Sequence, residues 1–226
     1  MFNLILQDLR KSKKIAYLLI IYTFILLYAF QSLGESAFIA IVVAIAYMLM
    51  SKACAPDHHN KPETLQAESQ QTPNNSVTRQ EDIVGAKYLA IFIYGLFGTA
   101  AYLFAVATFQ LMGIAIKISP LDLTSVAIMF FALGTMASLY YPLYFKSGYA
   151  KSSKYGIILF SFFFFTPPLI LGLVHAEMTP QLGQGLLHWL QVRSPLTIGL
   201  ALILLTLLSL TVSYRYSVRV YLKYKV

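Results

Sequence analysis

The sequence is poor in charge, in sulfur and in indole. Of its 226 residues only 12% are Asp, Glu, Lys or Arg, and nine of those are acidic. A soluble globular domain carries about 25% charged residues, so a water-facing surface of ordinary polarity is excluded. The one cysteine, Cys54, rules out an intrachain disulfide and a multi-cysteine metal site. There is no HExxH, no Walker-type phosphate loop, no GxSxG and no pair of carboxylates placed for acid–base work. Without them the usual sequence signs of metalloprotease, nucleotide-hydrolase and serine-hydrolase chemistry are missing.

What is present is hydrocarbon. Hydrophobic residues make up 58% of the chain, and residues 15–31, 88–116, 123–145, 155–174 and 194–213 hold almost no ionisable side chains. About 20 helical residues cross a hydrocarbon slab of about 30 Å. Helices satisfy their own backbone groups there, whereas barrel strands would alternate polar and apolar residues, and these runs do not alternate. The fold class is therefore an all-α integral membrane protein, one transmembrane domain over residues 1–226.

Residues 1–14 form an element of their own. Phe2, Ile5, Leu6 and Leu9 recur at helical spacing opposite Asn3, Gln7, Arg10, Lys11 and Lys14, which predicts an amphipathic helix lying in the membrane interface. Six spans follow, near residues 15–32, 37–50, 88–116, 124–145, 155–173 and 195–214. The second is the shortest. Between them lie a polar loop at 51–87, a short loop at 146–154 and an external segment at 175–193. Placing both termini in the cytoplasm puts Lys52, Lys61, Arg79, Lys87, Lys146, Lys151, Lys154, Arg215, Arg219, Lys223 and Lys225 inside with the basic N-terminus. Only Lys117 and Arg193 then fall outside, as the positive-inside tendency requires. On a soluble protein a net charge of +8 would raise nucleic acid as a partner. Beside hydrophobic runs it is read as orientation and attraction to anionic lipid.

No span contains an interior Asp, Glu, Lys or Arg, so the lipid zone offers nothing that could titrate during transport. Any driving energy would have to arrive from outside it. Thr78-Arg79-Gln80-Glu81 has the spacing of a capping box, in which Thr78 caps and Glu81 reaches back. The helix it starts would run through Asp82 and Lys87 into the third span, a rigid lever or simply an ordinary capped start. Asn60-Lys61-Pro62-Glu63 is a second candidate helix start, with Pro62 in its first turn.

These stretches resemble the permease subunits of the type-2 ATP-binding-cassette exporter family. The likeness is carried by Met1-Phe2-Asn3-Leu4-Ile5 with Asp8-Leu9, by Thr78-Arg79 with Asp82-Ile83-Val84-Gly85-Ala86-Lys87-Tyr88-Leu89, and by Tyr141-Pro142-Leu143-Tyr144-Phe145-Lys146-Ser147-Gly148-Tyr149. Within that family the chain is most similar to the half-size permeases that export phenol-soluble modulins and antimicrobial peptides. The resemblance implies a homo- or heterodimer of permeases in a bacterial cytoplasmic membrane, each resting on a separate ATPase subunit. That subunit would hold the ATP and Mg, and this chain would carry no cofactor of its own. It also implies an ATPase-coupling segment across residues 60–79, so that Asn60, Lys61, Pro62, Glu63, Thr78, Arg79, Glu81 and Asp82 are the coupling candidates. The chain departs from the family where Gln71-Thr72-Pro73-Asn74-Asn75-Ser76-Val77 replaces a leucine-rich stretch.

The same resemblance makes 175–193 a set of short helices over the external exit. Gly183, Gly185, Leu187 and Trp189 would form the gate, with Trp189 as a headgroup anchor the alternative. Pro167-Pro168 would break the ladder of the fifth span, as a gate hinge or as a kink that membranes tolerate. Gly95 with Thr99, and Gly134 with Ser138, have the small-xxx-small spacing of helix-packing sites. Tyr140, Tyr141, Tyr144 and Phe145, like the run Phe162 to Phe165, are read as interfacial or lipid-facing. Asp57-His58-His59 lacks further ligands at metal-site spacing, and no metal is expected. Two functions remain open from sequence: the permease of an ATP-driven exporter of a hydrophobic or amphipathic molecule such as a peptide, and a non-transporting immunity, sensor or regulatory membrane protein.

Overall fold

The computed structural model describes residues 2–30, 35–55, 80–114, 123–175 and 194–224. All regular structure among them is helical: α1 (Phe2–Ala29), α2 (Glu35–Cys54), α3 (Gln80–Leu111), α4 (Leu123–His175) and α5 (Pro195–Tyr224). Four of these, α2 to α5, are long and apolar enough to cross a membrane, and α1 makes a fifth if its two bent segments count as one span.

The amphipathic start and the first apolar run are joined in one helix. α1 turns by 62° between Leu4–Arg10 and Ile15–Ala29. Beyond the bend, Leu19, Thr23, Leu26 and Leu27 face inward while Tyr17, Leu18, Ile21, Ile25 and Tyr28 stay exposed, a stripe at helical period.

α2 is the axis of the bundle. From Ala37 to Met50 nearly every side chain is buried, many completely. A helix apolar on all faces packs on all faces, and α2 touches α1, α3 and α4. Its crossing with α3 is close because Gly98 meets Val42: a Cβ on Gly98 would lie 3.1 Å from the Val42 side chain and 3.4 Å from its backbone.

The short loop expected at 146–154 is not a loop. α4 stays helical on both sides of Gly148, whose φ of 72° and ψ of 175° are its non-helical angles. Almost only glycine adopts that combination. It folds α4 back on itself: Gly156, eight residues after the turn, faces the ring of Tyr140, eight residues before it, at 2.8 Å from an added Cβ. The returning arm then stacks Phe160 on Tyr47 of α2, with centroids 4.8 Å apart, and sets Phe164 edge-on to Phe30 at 5.5 Å. Charged Lys146, Lys151 and Lys154 interrupt the hydropathy pattern, while the backbone departs from the helix only at Gly148.

Two further expectations are corrected. Tyr140 and Tyr141 are 0% and 1% exposed, so neither is lipid-facing. Tyr141 packs against Tyr88 of α3 and Phe145 against Tyr221 of α5. The close return of the chain at Gly156 and the approach of α3 and α5 cover that face of α4. In the later aromatic run, Phe162 and Phe165 are exposed while Phe163 and Phe164 are half-buried. α5 also runs ten residues beyond the expected end at 214, to Tyr224. Leu210, Ser213, Ser217, Val220 and Tyr221 form its buried face, and Arg215, Tyr216, Arg219 and Lys223 its exposed one.

Candidate functional site

The basic residues of the described helices gather at one end of the bundle, where α1 begins, α2 ends, α3 begins, α4 turns and α5 ends. α3 opens with Glu81 and Asp82 in its first turn, where negative charge complements the helix dipole. From there it runs unbroken through its buried face of Val84, Tyr88 and Ile91. Lys87 borders that face. Its ammonium lies 2.8 Å from both carboxylate oxygens of Asp8 and donates to the Ala53 carbonyl at 3.0 Å. The two side chains are 14% and 9% exposed. Ala53 stands in the last turn of α2, whose carbonyls lack partners within the helix and attract a cation. One charge thus binds the starts of α1 and α3 to the end of α2.

Beside it runs a directed chain of hydroxyls. Ser213 donates to the Ser138 carbonyl at 2.6 Å; Tyr88 Oη lies 2.6 Å from Ser213 Oγ and 2.9 Å from Ser217 Oγ. A serine has one hydrogen to give. Ser213 spends it on Ser138, so Tyr88 donates to Ser213 and Ser217 donates to Tyr88. The chain ends on this carbonyl for a reason written in the sequence. In a helix the Ser138 carbonyl would accept from residue 142, which is proline and has no N–H. Ser213 of α5 supplies the missing donor, and α3, α4 and α5 are pinned at one point.

Against this pin lies an open groove of about 770 Å³ between the two arms of α4 and α5. Leu139, Leu143, Ile158, Leu159, Leu205 and Leu208 give it apolar walls, and Ser138, Ser209 and Ser213 give it its hydroxyls. Such a surface is complementary to hydrocarbon. Its lining has no His, Cys, Asp or Glu among the described residues, and among them no group of three such side chains could hold a metal ion.

The residues singled out from sequence fall as follows. Asn60, Lys61, Pro62, Glu63, Thr78 and Arg79, with Gly183, Gly185, Leu187 and Trp189, lie outside the described residues, as do Asp57, His58 and His59. Glu81 is exposed and Asp82 half-exposed at the head of α3. The α4 backbone passes through Pro167 and Pro168 and remains helical to His175. Gly95 faces Leu133 and Met129 of α4, and the Thr99 hydroxyl donates to the Gly95 carbonyl at 2.9 Å. Gly134 sits directly under Thr206 of α5, and Ser138 gives its hydroxyl to the Thr135 carbonyl.

Sequence reasoning missed Asp8, Lys87, Tyr88, Ser213 and Ser217 as a connected set. Pro142 inside an apolar helix was the available signal, because it announces a carbonyl in need of a donor. Asp8 carried a weaker one: it lies one turn after Ile5, on the apolar side of an amphipathic helix.

A family profile described as ABC-2 family transporter protein matches residues 3–222. No curated protein and no solved structure matches significantly.

Proposed function

Since the chain belongs to the ABC-2 transporter family, we propose that it is the permease subunit of an ATP-driven exporter for a hydrophobic or amphipathic substrate such as a peptide. ATP and Mg would be held by a separate ATPase subunit, and two permeases, identical or related, would enclose the pathway. The family match over nearly the whole chain carries this reading. The buried junction at Lys87 supports it, because movement imposed on the head of α3 would be felt at once by α1 and α2.

The reading includes six crossings with both termini in the cytoplasm. The apolar stretch of α4, Leu123–Thr166, is 44 residues long, and at 1.5 Å per residue a straight helix of that length would extend about 66 Å, twice the hydrocarbon slab. Folded at Gly148 it supplies two crossings. With α1, α2, α3 and α5 counted once each, the proposed total is six, and the basic end would then face the cytoplasm in accord with the positive-inside tendency. The coupling contacts would come from residues 60–63 and 78–82, and the external gate from 167–168 and 183–189.

Co-expression with a cassette ATPase, sought first among the genes neighbouring its own, is the direct test. The expected result is a stable complex whose ATP turnover depends on this chain. Absence of any cassette ATPase from the purified complex would overturn the assignment, and protection of cells without ATP hydrolysis would favour a regulatory or immunity role.

A further inference from the structure

The bend in α1 opens a crevice of about 280 Å³ between its first segment and the bodies of α2 and α3. Leu6, Leu9, Leu49 and Phe97 make it apolar, and Arg10 and Lys13 border it with exposed side chains. Among the described residues no acidic side chain lines it. Leu6, Leu9, Arg10 and Lys13 fall at the spacing of one helix face. Ile5 and Asp8 form the neighbouring face, which is buried, with Asp8 held by Lys87. The segment is therefore anchored along one edge and open along the other, with hydrocarbon beneath and positive charge above. Long cationic side chains keep their stems on apolar surface while their heads stay in the polar layer.

We propose that this elbow crevice binds one anionic phospholipid, its acyl chain lying on Leu6, Leu9, Leu49 and Phe97 and its phosphate between Arg10 and Lys13. The charge decides the headgroup. A zwitterionic lipid gains little net attraction from two cations, whereas a net negative one gains about fivefold in affinity for each basic residue at the surface. The inference rests on the chain's membrane location and not on what it transports.

The purified chain in neutral detergent is titrated with dioleoylphosphatidylglycerol or dioleoylphosphatidylcholine, and retained lipid is counted by native mass spectrometry. One phosphatidylglycerol per chain is expected at concentrations where phosphatidylcholine is absent. R10Q/K13Q should weaken its retention by about twenty-five-fold, while K151Q/K154Q, with the same loss of charge at the α4 turn, should retain it fully. Ala16 also lines the crevice, so Ala16→Trp should expel the acyl chain with both cations in place; monodisperse elution will show that each variant is folded. Equal retention of the two lipids, full retention by R10Q/K13Q, or equal loss in K151Q/K154Q would overturn the proposal.

Discussion

Lys87 and Asp8 stand 79 residues apart in the chain and 2.8 Å apart in the fold, with the Ala53 carbonyl accepting from the same ammonium at 3.0 Å. The pair is buried at the point where three helices meet. Desolvation offsets much of the attraction within such a pair, yet removing one partner takes from the other the opposite charge that compensates its burial. The pair therefore specifies the junction more than it adds to stability.

Lys87→Met or Asp8→Asn alone should lower stability by about 3 kcal/mol, measured by unfolding in detergent. The double variant Asp8→Asn with Lys87→Met should lose less than the sum of the two single changes. Strictly additive losses would mean that the two groups do not sense each other.

The Ser213 hydroxyl fills a vacancy that Pro142 creates. Ser213→Ala should cost about 1–3 kcal/mol, because it orphans the Ser138 carbonyl and leaves Tyr88 only Ser217 of its two serine partners. In a Pro142→Ala background the helix regains its own N–H at that carbonyl, and the same change should cost measurably less. An identical cost in both backgrounds would separate the serine from the proline.

At Gly148 a Cβ would meet nothing within 4 Å, yet φ is 72° and ψ is 175°. Gly148→Ala should thus destabilise by about 1–3 kcal/mol through backbone strain alone. Gly156→Ala should destabilise by collision with the Tyr140 ring instead, and a Tyr140→Leu background should relieve it. If Tyr140→Leu rescued Gly148→Ala equally well, the strain would be steric after all.

Cysteine labelling can settle which way the chain lies in the membrane, but not through the native thiol. Cys54 is 4% exposed, so it should stay unmodified by maleimide until the protein is unfolded. Cysteines introduced at the exposed Lys52 and Lys151 should react only with reagents that reach the cytoplasm. One at Leu111, 89% exposed, should react from the opposite side. Labelling of Lys52→Cys and Leu111→Cys from the same side would refute the topology.

Hydropathy located the helices well because the lipid requirement acts on each segment separately. It could not rank them from inside to outside, since α2 and α5 are equally apolar to a window average while one is enclosed and the other largely exposed. The same blindness misplaced Tyr140 and Tyr141: an aromatic girdle and an aromatic core read alike until a partner such as Gly156 is known to lie opposite. The two arms of α4 were legible as two spans, but the lysines between them suggested a nine-residue loop where the turn is confined to Gly148. The junction at Lys87 needed the pairing of residues 8, 53 and 87, which no local pattern contains. The donor for Ser138 was half legible, because the need was visible at Pro142 and the supplier, 75 residues away, was not.

The enclosure of α2 has a consequence for the protein's relation to its surroundings. A helix wrapped in this way can meet a fatty acyl tail only beside Leu49, at the elbow crevice, so changes in membrane fluidity or composition reach the rest of it only through the helices that surround it. Adaptation to a colder or stiffer bilayer would then proceed by substitutions on α1, α3, α4 and α5, with the central helix left as it is.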